Sequence, residues 1–248
     1  MRVAALCDIH GNLPALEAVL DEVERERVEL VVVGGDTVTG PLAPEVLDRV
    51  LALGERVLVV RGNADREAVE VRRGAAEPGE SPGPHDAWAL GRLEERHLSA
   101  LESLPLTVTV EVDGLGPVLF CHATPTSDTE IFLETTPDEL VTRKLGGTAA
   151  RTVVCGHTHM QFDRRVGEVR VVNAGSVGMP YEEAPGAYWA LLGPDIELRR
   201  TAFDLDAAAE QIRATGWPAA DEFVAENLLV VPSRAEALDV FEPLVDSG

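Results

Sequence analysis

Five short apolar runs in this sequence each end in a polar side chain of the kind that binds metal ions. The five junctions are Cys7-Asp8-Ile9-His10, Gly35-Asp36, Gly62-Asn63, Cys121-His122 and Gly156-His157-Thr158-His159. Because ligands gather where the buried strands of a sheet end, we expect two aspartates, an asparagine and four histidines on one face of one sheet. The sequence therefore predicts a metal site, and the number of ligands favours two ions.

The composition limits the classes of partner. The chain has 248 residues, 45% of them hydrophobic, which is enough for one large domain or for a domain with an appendage. It carries 21 Lys and Arg residues against 43 Asp and Glu residues, a formal net charge of −22. This charge argues against general nucleic-acid binding and against anionic membranes. A phosphate-bearing substrate would need local cations, which bound metal ions would supply.

The cysteines indicate the redox compartment. Cys7, Cys121 and Cys155 lie far apart, and each ends an apolar run. Three cysteines in such positions predict no disulfide framework and a reducing compartment, so the cytoplasm is the expected location. The first strand begins almost at once and is interrupted by Asp8, so neither a signal peptide nor a membrane span is predicted.

The chain begins with alternating strand and helix patterns. Aliphatic and β-branched runs predict strands buried on both faces, at residues 3–7, 30–33, 56–60 and 152–155. Amphipathic helices are predicted between the first three strands, at residues 13–27 and 44–53. This order is typical of a parallel α/β layer, whose ligand sites lie at the carboxyl ends of its strands.

The second half favours antiparallel strands. Strand patterns flank Asp113-Gly114 and Gly167-Glu168, which are hairpin signals. Further strand patterns follow at residues 188–192 and 196–200. The expected result is two stacked sheets with helices outside.

The remaining segments are predicted to be loop and helix. Residues 74–84, rich in Pro and Gly, are expected to form an exposed loop before a helix at 86–104. Three helices are expected near the C-terminus, at residues 205–215, 219–228 and 235–241. We therefore expect a main domain at 1–203 and a helical extension at 204–248, which packs on the core or contributes to a homo-oligomer.

The chemistry of the junctions favours a two-metal site. Carboxylate, amide and imidazole donors without a thiolate motif suit Mn, Fe, Co, Ni or Zn. Asp8 and His10 are two residues apart, as are His157 and His159, so each pair would point to one side of an extended strand and form a half-site. Seven ligands exceed the needs of one ion and fit two ions if one carboxylate bridges them.

A single Asp or His at a strand end is more often a helix cap or a turn residue than a ligand. The set argues otherwise, because four of the six histidines fall in these junctions. Only His85 and His97 lie elsewhere, in a predicted loop and helix. The metal interpretation therefore rests on the group and not on any single position.

The motifs together resemble those of the calcineurin-type metallophosphoesterases, and most closely the small bacterial and archaeal phosphodiesterase branch. The matching motifs are Asp8-x-His10-Gly11-Asn12, Gly34-Gly35-Asp36, Arg61-Gly62-Asn63, Cys121-His122-Ala123-Thr124-Pro125 and Gly156-His157-Thr158-His159. Their order and separations match over roughly the first two hundred residues. The resemblance implies a four-layer α/β/β/α sandwich with a dinuclear site at one edge.

The resemblance also implies a role for each ligand. One ion would be held by Asp8, His10, Asp36 and His159, and the other by Asp36 as a bridge with Asn63, His122 and His157. Two ions about 3.5–4 Å apart lower the pKa of a bridging water, so that hydroxide can attack a phosphoryl group in line. Manganese is the expected metal, with Fe, Ni, Co and Zn as alternatives.

Asn12 and Arg61 lie beside the ligands and are candidates for contacts to substrate phosphate. For Arg61, a salt bridge to one of the many acids is an equal alternative. Ala64 stands where the wider family commonly has a histidine that protonates the leaving group. A general acid typically contributes about 10²–10⁴-fold, so either His10 or Asp65 replaces it or the substrate has an easily departing group.

The sequence thus predicts a cytoplasmic phosphodiesterase that acts on a small nucleotide or a similar ester. A phosphomonoesterase or protein Ser/Thr phosphatase is the alternative among enzymes. A non-catalytic, metal-holding interaction module is the alternative of another class. The loops expected to determine specificity, at residues 74–84 and 124–136, carry no recognisable signature.

Overall fold

A computed structural model of the chain describes residues 1–75 and 84–245, and its frame consists of two five-stranded sheets. The strands are β1 (Val3–Leu6), β2 (Leu30–Val33), β3 (Val57–Val59), β4 (Thr107–Val112), β5 (Gly116–Cys121), β6 (Thr152–Cys155), β7 (Phe162–Val166), β8 (Val169–Asn173), β9 (Ala187–Leu192) and β10 (Ile196–Thr201). All the strands predicted from the sequence are present, with ends shifted by one or two residues at most.

The first sheet has the order β10-β9-β1-β2-β3. Its strands β1, β2 and β3 run parallel, as predicted for the alternating pattern, and β9 and β10 complete the sheet as antiparallel strands. Every residue of β1 is buried, because this strand lies in the middle of the sheet and is covered on both faces.

The second sheet has the order β4-β5-β6-β8-β7. Both predicted hairpins are present, since β4 pairs with β5 and β7 pairs with β8 in antiparallel register. The prediction of antiparallel strands in the second half is confirmed for these pairs and for β9 with β10, but it is wrong for β5, β6 and β8, which run parallel to one another. A long connection at residues 122–151 returns the chain before β6, and the edge strand β7 returns it before β8, whereas β9 and β10 join the first sheet.

The helices lie between and after the strands. They are α1 (Leu13–Arg25), α2 (Ala43–Leu51), α3 (Asn63–Arg72), α4 (Pro84–Gly91), α5 (Glu95–Glu102), α6 (Asp138–Lys144), α7 (Leu205–Ala214), α8 (Ala220–Phe223) and α9 (Arg234–Phe241). Helices α1 and α2 were predicted, whereas α3 and α6 were not. Helix α3 matters most, because it begins at the candidate ligand Asn63.

The helix predicted at residues 86–104 is two helices, α4 and α5. The chain is extended at Glu94, with φ of −89° and ψ of 167°, so one continuous helix is excluded. The Glu94 amide donates to Nδ1 of His97 at 3.1 Å, which caps the start of α5. Most of the loop predicted at 74–84 lies outside the described residues.

Three layers of apolar side chains hold the sheets and helices together. The two sheets pack face to face through residues such as Ala5 of β1 and Phe120 of β5. Helix α1 covers the outer face of the first sheet through Leu16 and its neighbours, and α6 covers the second sheet through Val141. The predicted four-layer α/β/β/α sandwich is therefore confirmed.

The C-terminal helices pack on the core. Ile212, Trp217 and Phe223 form one apolar cluster with Met179 and Phe203. Between α8 and α9, residues Val224–Leu228 form a π-helical turn. Within the described part of the chain, none of the helices has the length and apolar character needed to cross a membrane. The boundary at residue 203 stays a prediction.

Replacing Ile212 by alanine tests how strongly the C-terminal helices are coupled to the core. Ile212 is fully buried, so Ile212→Ala should lower the free energy of unfolding by about 2–5 kcal/mol. Urea unfolding followed by circular dichroism measures this change. Val230 is 65% exposed, so the matched variant Val230→Ala should change stability little. If Ile212→Ala affected only a separate unfolding transition of low stability, the C-terminal helices would not fold together with the core.

Candidate metal centre

The backbone at the strand ends is strained where the candidate ligands lie. Five of them have a positive φ: Asp8 (54°), His10 (44°), Asp36 (52°), His157 (70°) and His159 (59°). Residues other than glycine rarely adopt this left-handed conformation, and it persists where the surrounding structure imposes it, often at functional sites. The expectation that each pair points to one side of an extended strand therefore does not apply, because these residues are not extended.

Hydrogen bonds and glycines hold these turns. The Asp8 amide donates to Gly35 O at 3.1 Å, and the His10 amide donates to Asp36 O at 3.0 Å. A Cβ on Gly156 would lie 2.3 Å from Asp8 Oδ2, and a Cβ on Gly62 would lie 2.1 Å from Asp36 Oδ1. The turns therefore need glycine beside the ligands because the carboxylates pack directly against it.

The candidate ligands form two groups. In the first group, His159 Nε2 lies 3.2 Å from His10 Nε2 and 3.3 Å from Asp8 Oδ1. In the second group, His122 Nε2 lies 3.1 Å from both His157 Nδ1 and Asn63 Oδ1. Asp36, His122 and His157 offer ligand atoms that all lie within 4.8 Å of one another, as do Asp8, His10 and His159. Each group can hold one divalent ion.

Asp36 lies between the two groups. Its Oδ2 is 3.8 Å from His10 Nε2 and 3.5 Å from His122 Nε2. Its Oδ1 accepts a hydrogen bond from the Ala64 amide at 2.9 Å, which fixes the orientation of the carboxylate. This is the position that a bridging carboxylate would occupy.

Two details of the sequence interpretation are wrong. His157 and His159 belong to different groups and do not form one half-site, whereas Asp8 and His10 do share a group. The ligands also come from both sheets and not from one. Asp8, Asp36 and Asn63 follow strands of the first sheet, and the histidines from 122 onward follow strands of the second. The site lies where the ends of the two sheets meet.

Each ligand histidine is oriented through its second ring nitrogen. His122 Nδ1 lies 2.9 Å from Gly34 O, and His159 Nδ1 lies 2.6 Å from Met179 O. The two remaining contacts are His10 Nδ1 to Thr39 Oγ1 at 2.9 Å and His157 Nε2 to Thr129 O at 3.3 Å. Such contacts fix the tautomer and ring orientation of metal-binding histidines.

An orphaned oxygen tests whether these residues suit a cation. Asp8 is fully buried, and its Oδ1 accepts no hydrogen bond from the part of the chain that the structure describes. Its second oxygen is occupied, because the His157 amide donates to Oδ2 at 2.9 Å. A buried, unsatisfied carboxylate oxygen is costly unless a cation compensates it. The donor set fits a divalent metal ion.

The electrostatics of the site are also those of a cation site. Burial and the nearby His159 lower the pKa of His10 to about 3, and burial with the nearby His122 lowers that of His157 to about 3. Both imidazoles are therefore neutral, as ligands must be. Burial, with Asp8 and other acids nearby, raises the pKa of Asp36 to about 7. A divalent ion would relieve this clustering of carboxylates.

Two predicted substrate or acid residues are instead engaged in the fold. Asn12 Oδ1 accepts a hydrogen bond from the Ala15 amide at 3.2 Å, and its Nδ2 donates to Gly178 O at 3.0 Å. Asp65 is fully buried, and its carboxylate accepts the amides of Asp36, Thr37 and Gly62 at 2.9–3.0 Å. These contacts favour structural roles: Asn12 caps α1, and Asp65 supports the Asp36 turn.

Arg61 pairs with an acid and remains partly exposed. Its Nε lies 3.3 Å from Asp128 Oδ2, and its side chain is 36% exposed. No sequence pattern pointed to Asp128, which also binds Arg66, or to Tyr181, whose ring stacks on His159 at 4.7 Å between centroids. Neither residue belongs to a motif, and only their positions in the fold bring them to the ligands.

Replacing Asp36 by asparagine tests whether it joins the two groups. The change removes the charge that both groups share, so metal content after dialysis against Mn²⁺ should fall from two ions per chain to one or none. The thermal stabilisation by Mn²⁺ should fall with it, since bound ligand stabilises the native state. Metal analysis and melting curves measure both.

Asp206→Asn is the matched control, because Asp206 is exposed on α7 and the chemical change is the same. This control should bind as much metal as the unaltered protein. Equal metal content in Asp36→Asn and the unaltered protein would exclude a shared ligand.

Comparison with known proteins supports the same class of site. Residues 1–193 match the calcineurin-like phosphoesterase superfamily domain. An uncharacterized protein of Methanocaldococcus jannaschii is 26% identical over 254 residues, which cover 92% of this chain and 97% of that protein. A metallophosphoesterase structure from Sphaerobacter thermophilus has a TM-score of 0.72 and 25% identity, with 90% of this chain and 97% of that one covered.

A hypothetical protein from Pyrococcus horikoshii OT3 shares the fold, with a TM-score of 0.76, 22% identity and coverage of 90% of this chain and 97% of that one. The two structural matches extend beyond residue 193, since each covers more of the chain than the superfamily domain does. The resemblance inferred from the motifs is thus confirmed, and the chain belongs to the calcineurin-like phosphoesterase superfamily.

Proposed function

We propose that the protein is a two-metal phosphoesterase that hydrolyses a small phosphodiester. The observation that carries this proposal is the position of Asp36 Oδ2 between two complete ligand groups, 3.8 Å from His10 Nε2 and 3.5 Å from His122 Nε2. Two divalent ions, when bound, supply a hydroxide nucleophile near neutral pH and neutralise charge on the phosphoryl oxygens. No nucleophile from the protein is then required.

The proposed ligands follow the two groups. Asp8, His10 and His159 hold one ion, Asn63, His122 and His157 hold the other, and Asp36 holds both. Manganese is the metal we propose, with Fe, Ni, Co and Zn as alternatives that suit the same donors. Burial raises the pKa of Cys7 and Cys155, which disfavours the thiolate form that binds metal ions.

Arg61 is proposed to contact the substrate phosphate. A salt bridge and a phosphate contact are compatible here, because the bridge to Asp128 is made through Nε and the side chain remains partly exposed. Asp128 is itself buried and held by Arg66 Nε at 2.9 Å. The Asp128 contact therefore positions the Arg61 guanidinium, whose remaining donors can bind phosphoryl oxygens.

Charge favours a diester over a monoester. A phosphomonoester carries close to two negative charges at neutral pH, whereas a diester carries one. The chain has a formal net charge of −22, so its field repels the more highly charged ester more strongly. We also propose that the protein works in the reducing cytoplasm, since Cys7, Cys121 and Cys155 are all free and buried.

The leaving group is proposed to depart without a proton from the protein. Ala64 offers only a methyl group, and its amide is bonded to Asp36 Oδ1. The candidate acid Asp65 is fully buried beneath the Asp36 turn. The other candidate, His10, faces the first ligand group through Nε2 and Thr39 through Nδ1. Both alternatives to the missing histidine are therefore engaged elsewhere.

Hydrolysis of two model esters tests the proposed reaction. With Mn²⁺ at pH 6–9, kcat/KM for bis-p-nitrophenyl phosphate should exceed that for p-nitrophenyl phosphate by about tenfold, because the diester carries less charge. Asp36→Asn should lose both activities, and Asp206→Asn should keep them. A preference for the monoester would favour the phosphatase alternative. Metal-loaded protein that hydrolyses neither ester would support the non-catalytic module.

The absence of a free acid predicts a steep dependence on the leaving group. Methyl p-nitrophenyl phosphate and methyl phenyl phosphate differ mainly in the pKa of the departing phenol. Without protonation by the enzyme, the phenyl ester should react about 10²–10⁴-fold more slowly, the range that a general acid would otherwise supply. Steady-state rates with Mn²⁺ measure the ratio. Similar rates for the two esters would show that an acid is present.

A further inference from the structure

Two cavities lie beside the first ligand group, where the C-terminal helices meet the core. One has a volume of about 250 Å³ and is walled by Tyr181, Val240 and Phe241. The other has a volume of about 200 Å³ and is walled by Met179 and Phe223, together with further residues of the core and of the C-terminal helical region. Asn227 of the π-helical turn lines both cavities. We refer to them as the Tyr181 cavity and the Met179 cavity.

Both cavities adjoin residues that contact the candidate metal ligands. The ring of Tyr181 stacks on His159 with 4.7 Å between centroids and an interplanar angle of 24°. Met179 O lies 2.6 Å from His159 Nδ1. Thr39, which also lines the Met179 cavity, contacts His10 Nδ1 at 2.9 Å. Both cavities therefore border residues that pack directly against the first ligand group.

The lining chemistry excludes the phosphate itself. Among the residues that line the two cavities, the charged side chains are Glu222 and Glu236, and lysine, arginine and histidine are not represented. Carboxylates repel a phosphate and accept hydrogen bonds from N–H groups. The aromatic walls provided by Tyr181, Phe223 and Phe241 favour flat rings. The combination suits an uncharged ring that carries N–H donors.

Asn227 supplies a polar group that the fold does not use. Across residues 1–75 and 84–245, its side-chain amide has no hydrogen-bond partner, although the residue is half-buried. An amide can both donate and accept, as the edge of a nucleobase does. The π-helical turn at Val224–Leu228 that presents it is a rare element, and such turns occur frequently at functional sites.

We propose that these cavities bind one ester arm of the substrate, that this arm ends in a nitrogen heterocycle of the nucleobase type, and that Asn227 hydrogen-bonds its edge. The proposal deepens the phosphodiesterase function and rests on it for the position of the phosphate. The C-terminal helices thereby form a wall of the substrate site. Each cavity, at about 200–250 Å³, accommodates one ring system rather than a whole drug-sized ligand.

The kinetic test keeps the leaving group constant and varies the other ester arm. Methyl p-nitrophenyl phosphate is compared with the 5′-p-nitrophenyl phosphates of adenosine, guanosine and thymidine in the Mn²⁺-loaded full chain. At least one nucleoside ester should have the higher kcat/KM. The ratio of kcat/KM for that nucleoside ester to kcat/KM for the methyl ester should fall by about five- to tenfold in Asn227→Ala. The change should come mainly through KM, because one hydrogen bond is lost.

Two further variants separate recognition from folding. Asn227→Leu keeps the approximate size of the side chain and removes its hydrogen bonds, so it should lower the ratio as Asn227→Ala does. Glu226→Ala, a change at the exposed neighbour on the same turn, should leave the ratio unchanged. An unchanged ratio in both Asn227 variants, or no preference of the unaltered protein for any nucleoside ester, would overturn the proposal.

A binding measurement separates this proposal from the proposed reaction. Adenosine, guanosine and thymidine carry no phosphate, so their binding to the metal-free protein, followed by saturation-transfer NMR, does not require catalysis. At least one nucleoside should bind, and more weakly to Asn227→Leu. Nucleoside binding without hydrolysis of any ester would support the cavity site and contradict the proposed phosphodiesterase activity. Hydrolysis of the esters without nucleoside binding would contradict the cavity site but not the proposed phosphodiesterase activity.

Discussion

The carboxylate of Asp36 is the group on which the rest of the site depends. Its Oδ2 faces both ligand groups, while its Oδ1 accepts the amide of Ala64 in the first turn of α3. Its own amide donates to Asp65 at 2.9 Å, and its carbonyl accepts the amide of His10. One residue thus ties together the ends of β1 and β2 and the start of α3. Burial makes its charge costly, and a cation shared by both groups would offset that cost.

The sequence motifs pointed to the candidate ligands, and the family resemblance, rather than residue spacing, indicated how they divide into two groups. Asp8, His122 and His159 stood out because a polar residue after a buried strand is visible as a break in hydrophobicity. The spacing of His157 and His159 suggested one half-site, whereas the family resemblance placed them with different ions, and the structure agrees with the resemblance because both residues have left-handed backbone. The strand positions were likewise predictable, whereas the parallel direction of β5, β6 and β8 depends on the connection at residues 122–151 and on the return of the chain through β7, which no periodic pattern reveals.

Asn12 and Asp65 show that a polar residue beside a candidate ligand in the sequence can have its polar atoms engaged by the fold. Both residues lie beside ligands, and both have their polar atoms taken by backbone groups of the turns. Turns held at positive φ need such support, because nothing in the local sequence stabilises them. Residues far away in the sequence fill the remaining space: Asp128 orients Arg61, and Thr129 O contacts His157. The loop at residues 124–136 showed no motif in the sequence, because its residues contribute through where the fold places them.

The charge distribution separates two tasks that a phosphodiesterase must perform. A chain with a formal net charge of −22 attracts a phosphate only where cations are concentrated, which under the proposed function means two bound metal ions and Arg61. The cavities beside Tyr181 and Met179 carry carboxylates and an amide, so they can hold only the uncharged part of the same molecule. Ala64 adds a third condition, since the departing alcohol leaves without help from that position. A substrate that meets all three conditions has one negative charge at phosphorus, a heterocyclic arm and an acidic leaving group.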